Sequence, residues 1–158
     1  ILQYPHQALK STNAAVAPSD PAVHAVVQDM LDTLAASPGV ALAAPQIGHA
    51  VQVIVVDVSR KKGERGHGLV VMLNPVILSL EGKKSVREGC LSVPDYTGNV
   101  LRYEEALVEG LTPEGRVVTV SASGFEALAF QHEVDHLNGM LFLDRIESLS
   151  TDLFRRKK

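Results

Sequence analysis

The sequence contains one cysteine, no tryptophan and no hydrophobic run approaching the roughly 18 residues that span a bilayer. A lone cysteine cannot form an internal disulfide, so nothing favours an oxidising compartment. The net charge of −3 gives no indication of binding to DNA or to an anionic membrane. The chain begins at Ile1 without the segments of a signal peptide, and we expect its numbering to begin inside or after a processed start. These absences favour a soluble, cytoplasmic protein.

The chain has the length and composition of one folded domain. Of its 158 residues, 46% are hydrophobic and 21% are charged, whereas a disordered chain needs fewer apolar and more charged residues. No repeat, low-complexity stretch or linker divides the sequence. We therefore predict a single domain over residues 1–158.

Cap residues predict the two longer helices. Residues 19–21 are Ser-Asp-Pro, a capping side chain followed by a proline, and hydrophobic residues at helical spacing follow. This pattern predicts an amphipathic helix over residues 20–37. Ser123 and Glu126 have the spacing of a capping box, and the helix that they begin is predicted to end near Asn138, just before a glycine.

The remaining pattern indicates an α+β fold. A last helix is predicted from about Ser148 through the basic residues 155–158, because cations suit a helix C-terminus. Strand-like runs without regular helical crossovers favour α+β over a doubly wound sheet. These runs lie at 51–58, 68–73, 76–80, 84–87, 105–110 and 115–122, the last two forming a hairpin.

The most informative segment is His-Glu-Val-Asp-His at residues 132–136, within the second predicted helix. His132 and His136 lie four residues apart, so both project from one helical face and can bind one cation. Glu133 lies about 100° around the helix axis, where it can reach a water molecule without binding the metal itself. This HExxH pattern is typical of metal-dependent hydrolases, in which the glutamate is the general base. The alternative is a solvated helix face with two surface histidines.

A third metal ligand must come from elsewhere in the chain. The extended zinc-protease pattern is excluded because Phe142 stands at its third histidine position, and Glu147 is too close in sequence to fold back. Cys90 lies in a rigid loop of sequence Glu-Gly-Cys-Leu-Ser-Val-Pro, although a lone cysteine is most often a small core residue. A thiolate and two imidazoles would leave a fourth position open for water, as a catalytic site requires.

A third segment, residues 39–48 of sequence GVALAAPQIG, is rich in small residues. Small residues allow the backbone of a ligand to approach closely. The Gln46 amide can donate a hydrogen bond to a substrate oxygen. The alternative is a packing segment beneath the following strand.

Taken together, the segments GVALAAPQIG, EGCLSVP and QHEVDHLNG resemble the three ordered motifs of the peptide deformylases. The resemblance extends to ILQYP at the start and LFLDRI after the second helix, and it covers nearly the whole chain. It implies antiparallel β-sheets packed around a central helix carrying HExxH, with an N-terminal and a C-terminal helix. It also implies removal of the formyl group from formylmethionine on newly synthesised polypeptides, in the bacterial cytoplasm or in an organelle.

The resemblance implies roles for single residues. It makes Cys90, His132 and His136 the ligands of one divalent metal ion, Fe(II) first, with Zn, Ni or Co able to replace it. It makes Glu133 the general base. The oxyanion hole would be formed by Gln46 and by the backbone N–H of Leu91.

Substrate-binding roles are implied or predicted for a further set of residues. The glycine at 89 and the backbone at 40–41 would pair with the peptide as an added strand. Arg102 would anchor the substrate main chain or the Cys90 loop. A helical stripe and a strand residue would form the methionine pocket. The full set comprises Gly39, Val40, Ala41, Val86, Gly89, Arg102, Phe125, Leu128 and Ala129.

Two local features differ from the family pattern or stand outside it. The family usually has glycine where this chain has Ala41, and we expect a negative φ there because the neighbouring residues show no need for unusual dihedral angles. The polar insert at residues 59–66 is predicted to be a variable loop without a role.

The sequence also allows three other interpretations. Another HExxH metallohydrolase, such as a peptidase, would release amino acids instead of formate. A noncatalytic ribosome-associated binder would use the basic C-terminal helix, but it would not need Glu133. A purely structural metal site would ordinarily be closed by a fourth side chain.

Overall fold

The computed structural model describes residues 1–157, in which six strands form one antiparallel sheet. The first five strands are hydrogen bonded in chain order, and the sixth pairs with the fourth. The strands are β1 (Ala41–Ala43), β2 (Val53–Val56), β3 (Val70–Cys90), β4 (Val93–Leu111), β5 (Val117–Ser123) and β6 (Leu153–Arg155). The α-helices are α1 (Pro21–Ala35), α2 (Gly124–Leu137) and α3 (Leu149–Asp152). No helix within residues 1–157 is long and apolar enough to cross a membrane.

Strand β2 is buried on both faces because α1 and α2 pack on opposite sides of it. Its residues Val53 and Val55 belong to the hydrophobic cluster that contains the buried face of α1. Ile54 and Val56 alternate with them and belong to the cluster that contains Phe130 of α2. This packing explains why residues 53–56 are a continuous hydrophobic run.

Helix α1 begins as the sequence predicts. The Asp20 carboxylate accepts a hydrogen bond of 2.9 Å from the Ala22 N–H, and Pro21 occupies the first helical turn. The helix ends at Ala35, two residues before the predicted end. Its buried residues repeat at helical spacing, and they are Val23, Val27, Met30 and Leu34.

Strands β3 and β4 are longer than the sequence predicts. The predicted runs 68–73, 76–80 and 84–87 belong largely to one strand, whose pairing with β4 shifts register at three irregularities, beside Leu73, Ile77 and Gly89. Asn74 has a positive φ of 51°, so the turn-forming residues after Leu73 bend the strand without ending it. The predicted combination of α-helices and antiparallel strands is confirmed, but within residues 1–157 the strands form one sheet, where the resemblance implied more than one.

Helix α2 ends near its predicted limit but begins without the predicted capping box. Ser123 makes no side-chain cap hydrogen bond. The Glu126 carboxylate accepts hydrogen bonds from the backbone N–H and the ring Nδ1 of His67 instead, at 2.7 and 2.5 Å. Glu126 is 3% exposed, and it uses a distant donor in preference to the local one. At the other end, Gly139 has a φ of 71°, which suits the predicted C-terminal cap.

The C-terminal helix begins where the sequence predicts, with Ser148 as its N-cap residue, but its predicted extension through the basic residues is wrong. Helix α3 ends at Asp152, and Arg155 lies in β6, where it pairs with Tyr96 of β4. Backbone hydrogen bonds to β4 and contact of the Phe154 ring with the Arg87 guanidinium favour the extended form. Lys158 lies outside the described residues. The ribosome contact assigned to this helix loses its structural basis and stays a prediction.

Ala41 lies in β1 opposite Val56, and it is 8% exposed. Among residues 1–157, Asn74 is the one non-glycine residue with a positive φ, so Ala41 has the expected negative φ. We expect Ala41→Gly to lower the free energy of unfolding by about 1 kcal/mol, because glycine gains freedom in the unfolded chain and loses a buried methyl group. Urea unfolding measures this loss. The exposed Ala17→Gly variant should lose less, and a more stable Ala41→Gly variant would contradict the extended geometry.

Candidate active site

A cavity of about 630 Å³ opens between the edge of β1, the end of β3 and helix α2. Every predicted site residue except Arg102 and His136 lines it. The predicted residues in its walls are Gly39, Val40, Ala41, Gln46, Val86, Gly89, Cys90, Leu91, Phe125, Leu128, Ala129, His132 and Glu133. The fold thus brings the three sequence motifs to one place.

The side chains of Cys90, His132 and His136 converge at the inner end of the cavity. The Cys90 Sγ lies 3.3 Å from the His136 Nε2, which lies 3.2 Å from the His132 Nε2. Cys90 ends β3, and the two histidines are one turn apart on α2. All three ligand atoms lie within 4.8 Å of one another, and the residues are buried. One sulfur and two nitrogen donors at this separation fit a divalent ion such as iron or zinc.

Glu88 fixes the orientation of His132. Its Oε1 lies 2.5 Å from the His132 Nδ1, so that Nδ1 donates and the Nε2 lone pair faces Cys90 and His136. Arg102 donates from its Nε and Nη2 to the same carboxylate, at 2.9 and 2.6 Å. Burial opposes ionisation of Glu88, but the hydrogen bonds from Arg102 and His132 outweigh it and lower its pKa to about 2.

Arg102 lies behind the cavity and does not line it. It is 2% exposed, and its Nη1 donates to the Asp135 Oδ2 at 2.6 Å. Arg145 also binds Asp135, through its Nη2 at 2.7 Å. Burial opposes the charge of Arg102, but Glu88 and Asp135 raise its pKa above the ordinary value. Of the two predicted roles of Arg102, this position supports holding the Cys90 loop and gives no contact with a substrate.

Glu133 lines the cavity beside the two histidines. Its Oε2 lies 3.9 Å from the His132 Nε2, and its Oε1 is buried without a hydrogen-bond partner among residues 1–157. Burial raises the pKa of Glu133 to about 7. An unpartnered carboxylate oxygen in this position is available to a molecule in the cavity.

Hydrogen bonds to Ala43 and Ser92 hold the Gln46 side chain in place. Gln46 lies in a 3-10 turn, Ala44–Ile47, and its Oε1 accepts a hydrogen bond of 2.9 Å from the Ala43 N–H. Its Nε2 donates to the Ser92 Oγ at 3.1 Å and lies 3.7 Å from the Cys90 Sγ. The amide nitrogen of Gln46 therefore points toward the ligand cluster.

Leu91 and Gly39 pack against each other across the cavity. A Cβ atom at position 39 would lie 2.8 Å from the Leu91 Cδ1, so the Leu91 side chain occupies the space that only a glycine leaves free. This contact fixes the β1 edge beside the turn that follows Cys90.

Four charged residues that the sequence did not predict also line the cavity, namely Lys61, Arg87, Glu88 and Arg156. Glu88 could have been predicted from the sequence, because its carboxylate lies two residues before Cys90. A metal-binding histidine needs a hydrogen-bond acceptor for its second ring nitrogen. The insert at 59–66, predicted to have no role, contributes Lys61 to the cavity wall. The Lys61 Nζ lies 4.0 Å from the centroid of the Phe125 ring. No local pattern in the sequence predicts such contacts.

The two histidines of the HExxH helix and the thiol at the end of a strand form the kind of site that is typical of metal-dependent enzymes. A sequence profile described as "Polypeptide deformylase" matches residues 1–152. The chain is 41% identical over 157 residues to a peptide deformylase of Syntrophobacter fumaroxidans, covering 99% of this chain and 91% of the relative. It is 45% identical over 128 residues to one of Halothermothrix orenii, covering 81% and 80%.

Solved structures agree with the sequence matches. Peptide deformylase 1B of Arabidopsis thaliana, in complex with an inhibitor, superposes with a TM-score of 0.87 at 32% identity, covering 96% of this chain and 84% of that one. A peptide deformylase of Legionella pneumophila gives a TM-score of 0.86 at 38% identity, covering 94% and 86%. The chain belongs to the polypeptide deformylase family.

Proposed function

We propose that this protein is a metal-dependent peptide deformylase, which hydrolyses the formyl group from N-terminal formylmethionine on newly synthesised polypeptides and releases formate. One observation carries the proposal: Cys90, His132 and His136 converge beside Glu133 at the inner end of a cavity, in a chain from this family. We further propose that residues 1–158 form one catalytic domain and that it works where formylated chains are made, in the bacterial cytoplasm or an organelle.

The metal ion would be held by Cys90, His132 and His136, with Glu88 orienting His132 from behind. We propose Fe(II) first, with Zn, Ni or Co as replacements, because a thiolate and two imidazoles suit all four. When bound, the ion supplies Lewis acidity that polarises a carbonyl group and makes water a better nucleophile. Metal analysis under anaerobic conditions identifies the ion. A Cys90→Ser variant should lose the thiolate absorption of the cobalt-substituted protein.

The residues around the metal ligands have separate roles in proton transfer and in charge stabilisation. Glu133 accepts a proton from the attacking water and passes it to the leaving amine nitrogen, as its unpartnered Oε1 allows. The Gln46 Nε2 and the Leu91 N–H donate hydrogen bonds to the oxygen that becomes negative in the transition state. Gln46 needs little reorganisation, because Ala43 already holds its Oε1.

The substrate would bind as an extended strand between the β1 edge and the end of β3. Gly39, Val40 and Ala41 line one wall of the cavity and Gly89 the other. The methionine side chain would enter the apolar pocket, which we define as Val86, Phe125, Leu128 and Ala129, all in the cavity wall. Arg102 acts on Glu88 and the Cys90 loop as a positioning residue.

Leu128→Lys should weaken formyl-Met peptides more than formyl-Gly peptides. The half-buried leucine lines the apolar pocket, and a charge there removes a favourable contact that a methionine side chain makes and glycine does not. The lost burial corresponds to about tenfold or more in kcat/KM for formyl-Met substrates. The exposed Leu78→Lys variant is the control. An equal loss for both kinds of peptide would show that the methionine side chain binds elsewhere.

Mass spectrometry of a formyl-Met-Ala-Ser peptide after incubation with the metal-loaded protein tests the proposed function. Loss of the formyl group with the peptide bonds intact is the expected result. Cleavage between amino acids would identify a peptidase instead. An unchanged peptide would favour the noncatalytic binder.

A further inference from the structure

The end of β3 has a free backbone edge beside the cavity. Among residues 1–157, β2 pairs with β3 only through Val70–Leu73, and β4 covers the opposite edge as far as Cys90. The segment 86–89 therefore presents one edge without a strand partner. Under the proposed function, this is the edge on which the substrate main chain lies.

Side chains alternate along this segment, so its two faces differ in chemistry. Val86 belongs to the apolar pocket, whereas Arg87 points to the opposite face and contacts the Phe154 ring, 3.6 Å from its Cζ to the ring centroid. Gly89 shares the Arg87 face, and Thr97 is the strand partner of both Gly89 and Phe154. One face thus carries Val86 and Glu88, whose carboxylate is already bound by Arg102 and His132, and the other face carries Arg87.

Arg156 joins Arg87 on that second face. It lies two residues after Phe154, and its guanidinium covers Gly89, where any Cβ atom would collide with it. Arg87 and Arg156 are both exposed and both line the cavity mouth. The absence of a side chain at position 89 leaves the guanidinium next to the proposed substrate backbone.

These two cations have no acidic partner among residues 1–157. Neither Arg87 nor Arg156 has a carboxylate within 4.0 Å, and the Arg87 Nε donates to the neutral Asn99 side chain at 3.2 Å. The carboxylates that line the cavity, Glu88 and Glu133, belong to the inner site. In a chain of net charge −3, this mouth is locally positive.

A bound strand alternates its side chains as the protein strand does. If the methionine side chain enters the apolar pocket on the Val86 face, the side chain of the next substrate residue points to the face of Arg87 and Arg156. We propose that this protein selects an acidic residue, aspartate or glutamate, at the second position of its formylated substrates, through Arg87 and Arg156. The proposal rests on the proposed deformylase function and names its substrate class.

Formate release from formyl-Met-Glu-Ser and formyl-Met-Lys-Ser tests the selection. At low salt we expect kcat/KM to be about tenfold higher for the glutamate peptide, and the ratio should shrink at high salt because exposed ion pairs are screened. Moving the charge to the third residue, in formyl-Met-Ala-Glu and formyl-Met-Ala-Lys, should reduce the ratio to about twofold or less. Equal rates for the first pair of peptides would overturn the proposal.

Variants assign the effect to the two arginines. Arg87→Ala and Arg156→Ala should each lower the glutamate-to-lysine ratio, and R156E should favour the lysine peptide. Arg155→Ala is the matched control, since Arg155 lies between Phe154 and Arg156 and faces Tyr96 on the other side of β6. It should keep the ratio of the unmodified protein. An Arg156→Ala variant that hydrolyses every peptide faster by the same factor would show that Arg156 obstructs the cleft and selects nothing.

Measurements of peptide binding distinguish a failure of this proposal from a failure of the proposed function. If no formylated peptide releases formate, the deformylase function fails, and the affinities of unformylated Met-Glu-Ser and Met-Lys-Ser still test the arginines. Calorimetry should give the same preference for the glutamate peptide. Equal affinities of the two peptides would overturn the proposal even in an active deformylase.

Discussion

Replacing Glu133 by glutamine is expected to lower kcat by a factor of about 10²–10⁴, the usual contribution of a general base. Glutamine has nearly the shape of glutamate but cannot take a proton from water. The buried Glu133 side chain is not among the three ligand residues, so the variant should bind the same amount of metal. Steady-state formate release and metal content measured on one preparation check both statements.

The exposed Glu147→Gln variant is the control for this substitution, because it removes the same charge away from the cavity. It should retain the activity of the unmodified protein. Full activity of the metal-loaded Glu133→Gln protein would exclude Glu133 as the base.

Replacing Arg102 by alanine is expected to lower the free energy of unfolding by about 3–5 kcal/mol, because it breaks a buried ion pair and leaves the Glu88 carboxylate without its guanidinium. Asp135 keeps Arg145, so most of the loss should come from Glu88. The metal affinity should also fall, by about 10–100-fold, because Glu88 orients His132. Urea unfolding and competition with a chelator measure the two effects.

The surface variant Arg116→Ala should change the free energy of unfolding by no more than about 0.5 kcal/mol. It controls for removing an arginine as such. An Arg102→Ala protein with unchanged stability and metal affinity but a raised KM would show that Arg102 binds the substrate, against its position behind Glu88.

The features predicted correctly from the sequence depend on short-range geometry. Asp20 and Pro21 cap α1 through contacts within one helical turn. The spacing of His132 and His136 fixes both side chains on one face of any helix that contains them, so their approach needs no knowledge of the rest of the fold.

The predictions that failed depend on partners distant in the sequence. Glu126 has the spacing of a capping box, but the distant His67 binds it instead, and no local pattern reveals this competition. The first half of β4 contains Pro94 and Gly98, which indicate a loop, yet pairing with β3 makes it a strand. Similarly, β6 exists because β4 offers it a free edge. Long-range pairing overrides weak local preferences.

In the site, too, the residues predicted from the sequence depend on local spacing, and the others depend on contacts between distant segments. The three ligand residues and Glu133 come from motifs with characteristic spacing. The ion pairs behind them join β3, β4 and α2, because Glu88, Arg102 and Asp135 meet only after the sheet and the helix pack together. Arg156 reaches the cavity mouth only because β6 returns to β4.

A metal ion held by Cys90, His132 and His136 should be what enables removal of the formyl group. The most direct test removes the metal with a chelator and then follows formate release from formyl-Met-Ala-Ser while Fe(II) is added back without oxygen. We predict no release from the metal-free protein, and a rate that rises with added iron until the single site is filled. A rate independent of added metal, or no formate at any metal concentration, would contradict the account.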